Sequence, residues 1–435
     1  MLSRRLLIGL MLALLITATG VTTAQDEPSV FRFATCQGAW IDNVNAMLVE
    51  QFQELHPDIE VQIEPLNCAT DLSVPLVAQA AAGTLPDVTF TADLFVVPFA
   101  QAGISVDMRP FAEADPDFDL SDVYENMLAL SEVDGEGLYM IPSSFDVVTM
   151  YYNKSLFEEA GAPLPTADST WDEIIESCKM IREVTEKYCI LANSGGTGDQ
   201  ARWWAQYVPW IVGYGGQIIS DDGTTAMLSS PETLAGLKAY TDMWTVDDIG
   251  QPFDFDPGGN CFLVGQCAIW LHIPSIMQAV RGLDPQPFEW DVEVIPSLPE
   301  GKFTGMGTYG FTITANAQDP QLAWDFIKGL LSPETQTAIT LQYAGMPLLR
   351  SLRENPDIVG LEGPPDNIEA FIENGANGIT PPYFPGECGS LYAGQINSEI
   401  NAAFDAVIVG GVSVEEAFTE ANDNIQACLD RTTSE

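Results

Sequence analysis

The stretch DVVTMYYNKSLFEEAGAPLPTADSTWDEII, residues 146–175, carries several structural signals in close succession. β-Branched and aromatic residues favour a strand, Gly and Pro end a helix, and Thr followed three residues later by Glu is typical of a capping box. In order, these signals predict a strand at 147–152, a short helix at 154–160, a stop at 161–165 and a capping box at Thr170 and Glu173. A strand that leads into helices in this way indicates an α/β fold.

The same alternation of strand and helix fills the first part of the chain. Val44, Leu48 and Phe52 recur at helical spacing until Pro57 ends the pattern. The patterns predict strands at 30–35, 59–63 and 86–95, the last running into a loop, and helices at 44–55 and 72–82. Strands joined through helices are parallel, and the alternation continues beyond residue 150, so both halves of the chain are predicted to be α/β.

Two copies of Ser-Pro-Glu-Thr, at 230–233 and 332–335, predict two helix starts. In each copy Ser suits the N-cap, Pro the first helical position, and Glu the positively polarised first turn. We interpret them as similar capping chemistry, because no internal repeat of fixed period is present.

The N-terminus MLSRRLLIGLMLALLITATGVTTAQ has the pattern of an export signal. Arg4 and Arg5 precede an apolar run, and Thr22-Thr23-Ala24 offers the small residues that a signal peptidase accepts. We therefore predict a signal peptide at 1–24 and an exported, periplasmic or extracellular chain. The alternative is an uncleaved signal that tethers the chain to the membrane. No cysteine precedes Cys36, so a lipid-modified cysteine at the junction is not expected.

The chain is strongly acidic, with 62 Asp and Glu against 16 Lys and Arg. Such a surface repels nucleic acid and anionic membranes, so neither is an expected partner. We interpret the charge mainly as a solvated, self-repelling surface, and a cation-collecting role is the alternative.

The eight cysteines are even in number on a chain predicted to be exported, which favours disulfides. None has the CxxC spacing of a zinc site. Neighbours along the chain suggest the pairs Cys36–Cys68, Cys178–Cys189, Cys261–Cys267 and Cys388–Cys428, although spacing alone leaves the connectivity open.

Together with GLYMIP at 137–142, the opening stretch closely resembles the crossing segment of extracellular solute-binding proteins of the sugar-binding family that feeds ABC importers, such as maltose- and multiple-sugar-binding proteins. The family pattern there includes Tyr152-Asn153-Lys154 and Thr170-Trp171-Asp172-Glu173. Similar matches to this family occur at 80–108, 262–275 and 307–336. The cysteine content and the scarcity of lysine depart from the family pattern.

The resemblance implies a two-lobed, periplasmic-binding-protein-like α/β fold, with hinge strands that cross between the lobes and an interlobe cleft that closes over a ligand. It places lobe 1 at 28–145 plus 308–343 and lobe 2 at 146–307 plus 344–435. It also implies a receptor that captures a mono- or oligosaccharide and delivers it to ABC transporter permease subunits. We expect a monomer, with no enzymatic activity and no cofactor.

A sugar site needs aromatic rings for the sugar faces and polar side chains for the hydroxyls. The resemblance places ligand-binding carboxylates at Asp93 and Asp146. Loop positions and side-chain chemistry add further candidates, namely Gln37, Trp40, Trp203, Trp204, Trp270, His272, Tyr309 and Tyr383. Each aromatic residue has burial in the core as its alternative.

Other chemistry has little support in the sequence. The histidines His56 and His272 lack metal-site spacing, and we predict that His56 ends a helix facing solvent. SGGTG at 194–198 lacks the Lys of a phosphate loop and is predicted to be a flexible turn, and no GxSxG motif is present. Two alternatives stay open. One is the same fold binding a cation such as a polyamine, which Trp203-Trp204 could cage, and the other is a secreted carbohydrate hydrolase that uses two of the many acids.

Overall fold

The computed structural model describes residues 30–37, 41–66, 73–133, 135–192, 201–343, 346–359, 363–382, 384, 388–389, 391 and 394–432. Strands and helices alternate along this part of the chain. The strands are β1 (Val30–Cys36), β2 (Glu60–Leu66), β3 (Val88–Ala92), β4 (Glu132–Val133), β5 (Gly137–Leu138), β6 (Ile141–Pro142), β7 (Asp146–Val147), β8 (Thr149–Asn153), β9 (Tyr188–Ile190), β10 (Cys267–His272), β11 (Trp290–Glu293), β12 (Thr304–Gly307), β13 (Tyr309–Ile313) and β14 (Gly378–Ile379).

The helices lie between and after these strands. They are α1 (Asp42–Leu55), α2 (Ser73–Ala82), α3 (Asp93–Gln101), α4 (Arg109–Ala114), α5 (Glu125–Ala129), α6 (Lys154–Ala160), α7 (Trp171–Thr185), α8 (Trp204–Gly213), α9 (Pro231–Thr245), α10 (Met277–Arg281), α11 (Pro320–Ile327), α12 (Pro333–Tyr343), α13 (Pro356–Val359), α14 (Glu369–Gly375), α15 (Gln395–Ile408) and α16 (Val414–Thr432). Within the described residues, no helix is both long enough and apolar enough to cross a membrane.

The first sheet has the strand order β2-β1-β3-β13-β6. β1 is parallel to both β2 and β3, which confirms the parallel arrangement predicted for the first part of the chain. The late strand β13 then joins this sheet, antiparallel to both β3 and β6. Phe33, Phe311 and Phe326 pack together on this sheet, with ring centroids 4.7 and 5.2 Å from Phe33. A strand from far along the chain is therefore anchored in the first core.

The second sheet has the order β11-β8-β10-β9. β8 lies inside it, antiparallel to both β10 and β11, and all five of its residues are buried. α6 and α7 follow β8, and Trp171 at the start of α7 packs against Trp210, with ring centroids 4.9 Å apart. This sheet and its helices form the framework of the second half of the molecule.

A small third sheet, β14-β12-β7, lies where the chain crosses between the two larger sheets. β7 lies between β6 of the first sheet and β8 of the second, and β12 leads directly back to β13. The two crossing strands are antiparallel, with Val147 opposite Met306 and Asp146 opposite Gly307. The Thr308 hydroxyl donates to the Ser144 carbonyl at 2.8 Å, which joins the two connections by a further hydrogen bond.

The helices and caps of the opening stretch fold as its sequence predicts, but the single strand predicted at 147–152 is divided into β7 and β8, which belong to different sheets. β8 runs directly into α6, which ends at Gly161 in a left-handed conformation with φ of 66°. The Thr170 hydroxyl accepts from the Glu173 backbone N–H at 3.2 Å, and the Glu173 carboxylate accepts from the Thr170 N–H at 2.9 Å. This reciprocal pair is the predicted capping box.

The two Ser-Pro-Glu-Thr starts are confirmed as well. Ser230 and Ser332 precede α9 and α12, and each serine hydroxyl accepts from the backbone N–H of the Thr three residues later, at 3.3 and 3.1 Å. Pro occupies the first helical position in both helices.

Two other local predictions are wrong. The third strand does not run into a loop, because it ends at Ala92 and Asp93 begins α3. An acid in the first turn favours a helix start, and this helix buries Val96 and Phe99. His56 follows α1 as predicted but does not face solvent freely, since its ring packs on Phe52 and its Nε2 lies 3.3 Å from Asp325 Oδ2.

Three of the predicted disulfides are present, at Cys178–Cys189, Cys261–Cys267 and Cys388–Cys428. Cys36 is also disulfide-bonded, and its predicted partner Cys68 lies outside the described residues. The predicted signal peptide at 1–24 and the turn at 194–198 lie outside the described residues too. The residue limits of the two lobes remain a prediction.

Candidate functional site

Two adjoining cavities lie at the crossing strands, between the first and second sheets. One has a volume of about 240 Å³ and the other about 230 Å³. Asp146, Ile273 and Tyr309 line both cavities, so the two cavities adjoin at these residues and are together called the crevice. The other lining residues are Ala92, Asp93, Leu94, Val148, Trp203, Trp204, Ala205, Gly305, Met306, Gly307 and Thr308 in the first cavity, and Ser144, Phe145, Pro274, Ser275, Ile339, Thr340 and Met346 in the second.

Asp93 enters the crevice from the first sheet, because β3 ends at Ala92 and α3 starts with Asp93 itself. Its backbone N–H donates to the Thr308 carbonyl at 3.1 Å, which fixes the start of the helix against the crossing strand. The carboxylate oxygen Oδ2 is buried and has no hydrogen-bond partner among the described residues. Buried polar atoms in folded proteins usually have a hydrogen-bond partner, so this oxygen is a candidate acceptor for a donor on a ligand.

Asp146 approaches from β7 on the outgoing crossing strand. Its Oδ2 accepts a hydrogen bond of 2.6 Å from the Ser144 hydroxyl. Asp146 lies opposite Gly307 in the sheet, and the Asp93 carboxylate packs against the α-carbon side of the same glycine. A Cβ at Gly307 would lie 3.3 Å from Asp93 Oδ2, so the lack of a side chain there leaves room for the acid.

The two carboxylates hold protons more firmly than ordinary aspartates. Burial raises the pKa of Asp93 to about 7; a backbone N–H of Leu94 opposes this rise, and the nearby Asp146 charge adds to it. Burial also raises the pKa of Asp146 to about 6, against the lowering effect of the Ser144 hydrogen bond. Neighbouring acids whose pKa values are raised toward neutral pH by burial are typical of a functional site.

Aromatic rings form the other walls. Tyr309 begins β13, and its ring stacks on Phe90 at a centroid distance of 5.7 Å. Trp203 comes just before α8 from the second half of the molecule, is partly exposed, and meets Trp204 edge to face at 6.5 Å. Trp203 and Tyr309 therefore bring aromatic rings to the crevice from two different sheets' surroundings, Tyr309 from the first sheet and Trp203 from the segment before α8.

The structure brings together five of the residues proposed from sequence, namely Asp93, Asp146, Trp203, Trp204 and Tyr309. His272 lies just behind them, where its ring packs on Trp203 with centroids 5.4 Å apart. Burial lowers the pKa of His272 to about 4, so the imidazole is neutral at neutral pH.

The remaining candidates lie elsewhere. Trp270 is only 3% exposed and packs with Phe262 and His272, so it lies in the core and lines neither cavity. Gln37 is exposed at the end of β1 and is also absent from the lining. Trp40 and Tyr383 fall outside the described residues.

Sequence reasoning missed several lining residues. Ser144 orients Asp146, Thr308 joins the two crossing connections, and Ile273 lines both cavities. Ser144 and Thr308 could have been found, since each lies within two residues of a proposed site residue on a crossing strand. Ile273 and Met306 give no such signal, because an apolar residue in a strand or loop usually indicates core.

Among the described residues, no Lys, Arg or His side chain lines the crevice. The described residues also contain no group of three or more His, Cys, Asp or Glu side chains that could hold a metal ion. The crevice therefore combines carboxylates, hydroxyls and aromatic rings with apolar side chains such as Ile273 and Met306.

Comparisons with known proteins agree with this architecture. Residues 39–337 match the family model described as bacterial extracellular solute-binding protein. A Brucella abortus (strain 2308) protein described as a binding protein is 26% identical over 360 residues, covering 80% of this chain and 82% of its own length.

Solved structures match over nearly the whole chain. One is the Listeria monocytogenes ABC substrate-binding protein in complex with cycloalternan, with a TM-score of 0.74, 22% identity, and coverage of 92% of this chain and 99% of that one. Another is the sugar-binding protein MalE from Xanthomonas citri, with a TM-score of 0.75, 20% identity, and coverage of 93% and 98%. These likenesses confirm the two-lobed α/β fold. Because the family model spans well over half of its residues, the chain belongs to the bacterial extracellular solute-binding protein family.

Proposed function

We propose that this protein is the receptor of an ABC importer, which captures a mono- or oligosaccharide in the crevice and delivers it to the permease subunits. The observation that carries the proposal is the crevice itself. It joins a carboxylate pair to aromatic rings at the point where the chain crosses between two sheets.

The side chains suit a sugar in complementary ways. Sugar hydroxyls would donate to Asp93 Oδ2, which lacks a partner among the described residues, and to Asp146. The apolar face of a sugar ring would pack on Trp203 or Tyr309. Each cavity is somewhat smaller than the roughly 300–1,000 Å³ of pockets for drug-sized ligands, so the two adjoining cavities suit a ligand of one to a few sugar rings.

Closure over the ligand would occur at the crossing strands. We place lobe 1 at residues 28–145 plus 308–343 and lobe 2 at 146–307 plus 344–435. The strands β7 and β12 that connect them are short, and small changes in their backbone angles would rotate one lobe against the other. Asp93 and Trp203 would then approach from opposite lobes.

Structural relatives support a carbohydrate as the ligand. The Listeria protein was solved in complex with cycloalternan, and the Xanthomonas protein is described as sugar-binding. We propose that the present chain acts outside the cytoplasm as a monomer, releases its ligand chemically unchanged, and is either free or tethered by an uncleaved signal.

The direct test is calorimetry of the secreted chain against a panel of mono- and oligosaccharides, with chromatography of each mixture afterwards. We expect saturable binding of at least one sugar and no new product. Release of reducing ends would favour a hydrolase instead. Tight binding of a polyamine with no sugar binding would favour a cation receptor and contradict the proposal.

A further inference from the structure

We propose that Asp93 and Asp146 make the cleft select carbohydrates by charge, so that amino sugars bind best, neutral sugars bind less tightly, and acidic sugars are excluded. This inference rests on the proposed function and adds a substrate class to it.

The first step in the argument is the charge balance of the crevice. Two carboxylates line it, and no Lys, Arg or His does so among the described residues. Arg202, next to Trp203, is engaged elsewhere, because its guanidinium Nη1 donates to the Asp405 carboxylate oxygens at 2.7 and 2.8 Å. The charge of Asp93 and Asp146 is therefore not compensated by the surrounding residues.

Between residues 30 and 432, the stretches that the structure leaves undescribed contain no Lys, Arg or His in the sequence. Several basic side chains of the described residues are held in ion pairs, such as Lys154 with Asp291 at 2.8 Å and Lys328 with Asp115 at 2.9 Å. The nearby His272 is neutral at neutral pH, because burial lowers its pKa to about 4.

The second step is the state of Asp93. Its Oδ2 is buried without a hydrogen-bond donor among the described residues, and a buried carboxylate is stabilised most by a donor that also carries positive charge. A sugar hydroxyl supplies only the hydrogen bond. A protonated amine supplies both the hydrogen bond and the charge, whereas a ligand carboxylate would add negative charge beside an acid pair that burial already makes costly to ionise.

The test uses matched derivatives of each sugar that binds in the first panel, measured by calorimetry at pH 7 and low salt. For each hexose we compare the parent sugar, its 2-amino-2-deoxy form, the N-acetylated amine and the uronic acid. We expect the amine to bind at least about tenfold more tightly than the parent, equivalent to ~1.4 kcal/mol, and the uronic acid at least about tenfold more weakly. N-Acetylation, which keeps the nitrogen but removes the charge, should cancel the gain, and added salt should reduce it.

Variants locate the source of the selectivity. Asp93→Asn should bring the amine and the parent sugar to within about threefold of each other, whereas Asp58→Asn, at an exposed position on the surface, should leave their ratio unchanged. If Asp93→Asn abolishes all binding, Asp146→Asn provides the second measurement of the ratio.

The outcomes separate this inference from the proposed function. Equal affinities for a parent sugar and its uronic acid, or no preference for the amine, would overturn the charge selection while the sugar receptor stands. Failure of every sugar to bind would overturn the proposed function and this inference with it.

Discussion

Two aspartates illustrate how this molecule uses buried negative charge. Asp291 in β11 is only 5% exposed, and Lys154 Nζ lies 2.8 Å from its Oδ2. Its Oδ1 accepts from three backbone N–H groups, those of Val292 at 2.9 Å, Asp366 at 2.9 Å and Asn367 at 3.1 Å. Asp93 has an equally buried oxygen but no donor for it among the described residues.

The difference indicates separate roles. A carboxylate whose hydrogen-bond and charge partners all come from the fold stabilises the fold, because its removal would leave those buried donors unpaired. A buried carboxylate oxygen that lacks a donor costs the fold stability, and such strain is common where a ligand binds. The same contrast holds between Trp270, buried in the core, and Trp203, partly exposed on the crevice wall.

The largest expected effect separates the two tryptophans. Trp270→Ala should lower the free energy of unfolding by about 4 kcal/mol, because a buried aromatic ring leaves a cavity behind. Trp203→Ala should lower it by no more than about 1 kcal/mol, and should weaken sugar binding instead. Denaturant unfolding of the ligand-free variants measures both values. Equal losses of unfolding free energy in the two variants would contradict the assignment of Trp270 to the core and Trp203 to the crevice wall.

The next largest effect is the loss of unfolding free energy when Asp291, the fully partnered acid, is replaced. Asp291→Asn should destabilise the protein by roughly 3 kcal/mol, because it removes the buried charge 2.8 Å from the Lys154 ammonium and leaves only the exposed Asp366 carboxylate, 3.6 Å away. The double change Asp291→Asn with Lys154→Met should recover part of this loss. Urea unfolding of the single and double variants tests the pair, and a loss below about 0.5 kcal/mol for Asp291→Asn would remove its structural role.

Sugar affinity should depend on Asp93 much more than on Asp291. Asp93→Asn should weaken affinity for a neutral sugar by on the order of tenfold to a hundredfold, because a hydrogen bond to a charged acceptor contributes about 1.5–3 kcal/mol. Asp291→Asn should change the affinity of the folded protein by less than about threefold. Calorimetry at a temperature where both variants are folded compares them, and unchanged affinity in Asp93→Asn would contradict a ligand contact.

The smallest expected effect is on pH-dependent stability. The pKa of Asp93 is about 7 in the folded protein, against the ordinary value of 3.8, so the fold favours the protonated acid. That contribution is fully present below about pH 4 and is lost as the pH rises through about 7. Asp93→Asn cannot ionise and should be more stable than wild type at pH 8, by on the order of 1–2 kcal/mol.

Melting temperatures at pH 5 and pH 8 measure this difference, with Asp58→Asn as the control at an exposed acid. Wild type should lose more stability between the two pH values than Asp93→Asn does. A less stable Asp93→Asn at pH 8 would mean that the fold, rather than a ligand, needs the Asp93 charge.

Local structure was largely predictable from the sequence. Periodicity and capping chemistry locate α1, α6 and α7, because these signals act within a few residues. The start of α3 was missed, since Pro98 within DLFVVPFAQ argues against a helix there. The helix forms with Val96 and Phe99 buried, and burial in the folded protein has no local signal in the sequence.

The site was harder to predict, because it is assembled from distant segments. Asp93 and Asp146 were proposed through resemblance to a family pattern, and nothing in composition brings them to one cavity. Trp203 and Trp270 look alike in sequence, and only tertiary packing places one on the crevice wall and the other in the core. Burial and strand pairing across long separations decide such outcomes, and neither has a local signal.

The most direct test of the central claim is a crystal structure of the protein with the tightest-binding sugar from the panel. We predict the sugar in the crevice, with a donor within about 2.6–3.2 Å of Asp93 Oδ2 and a ring face against Trp203 or Tyr309. A sugar bound outside both cavities, with Asp93 Oδ2 still lacking a donor, would contradict the account.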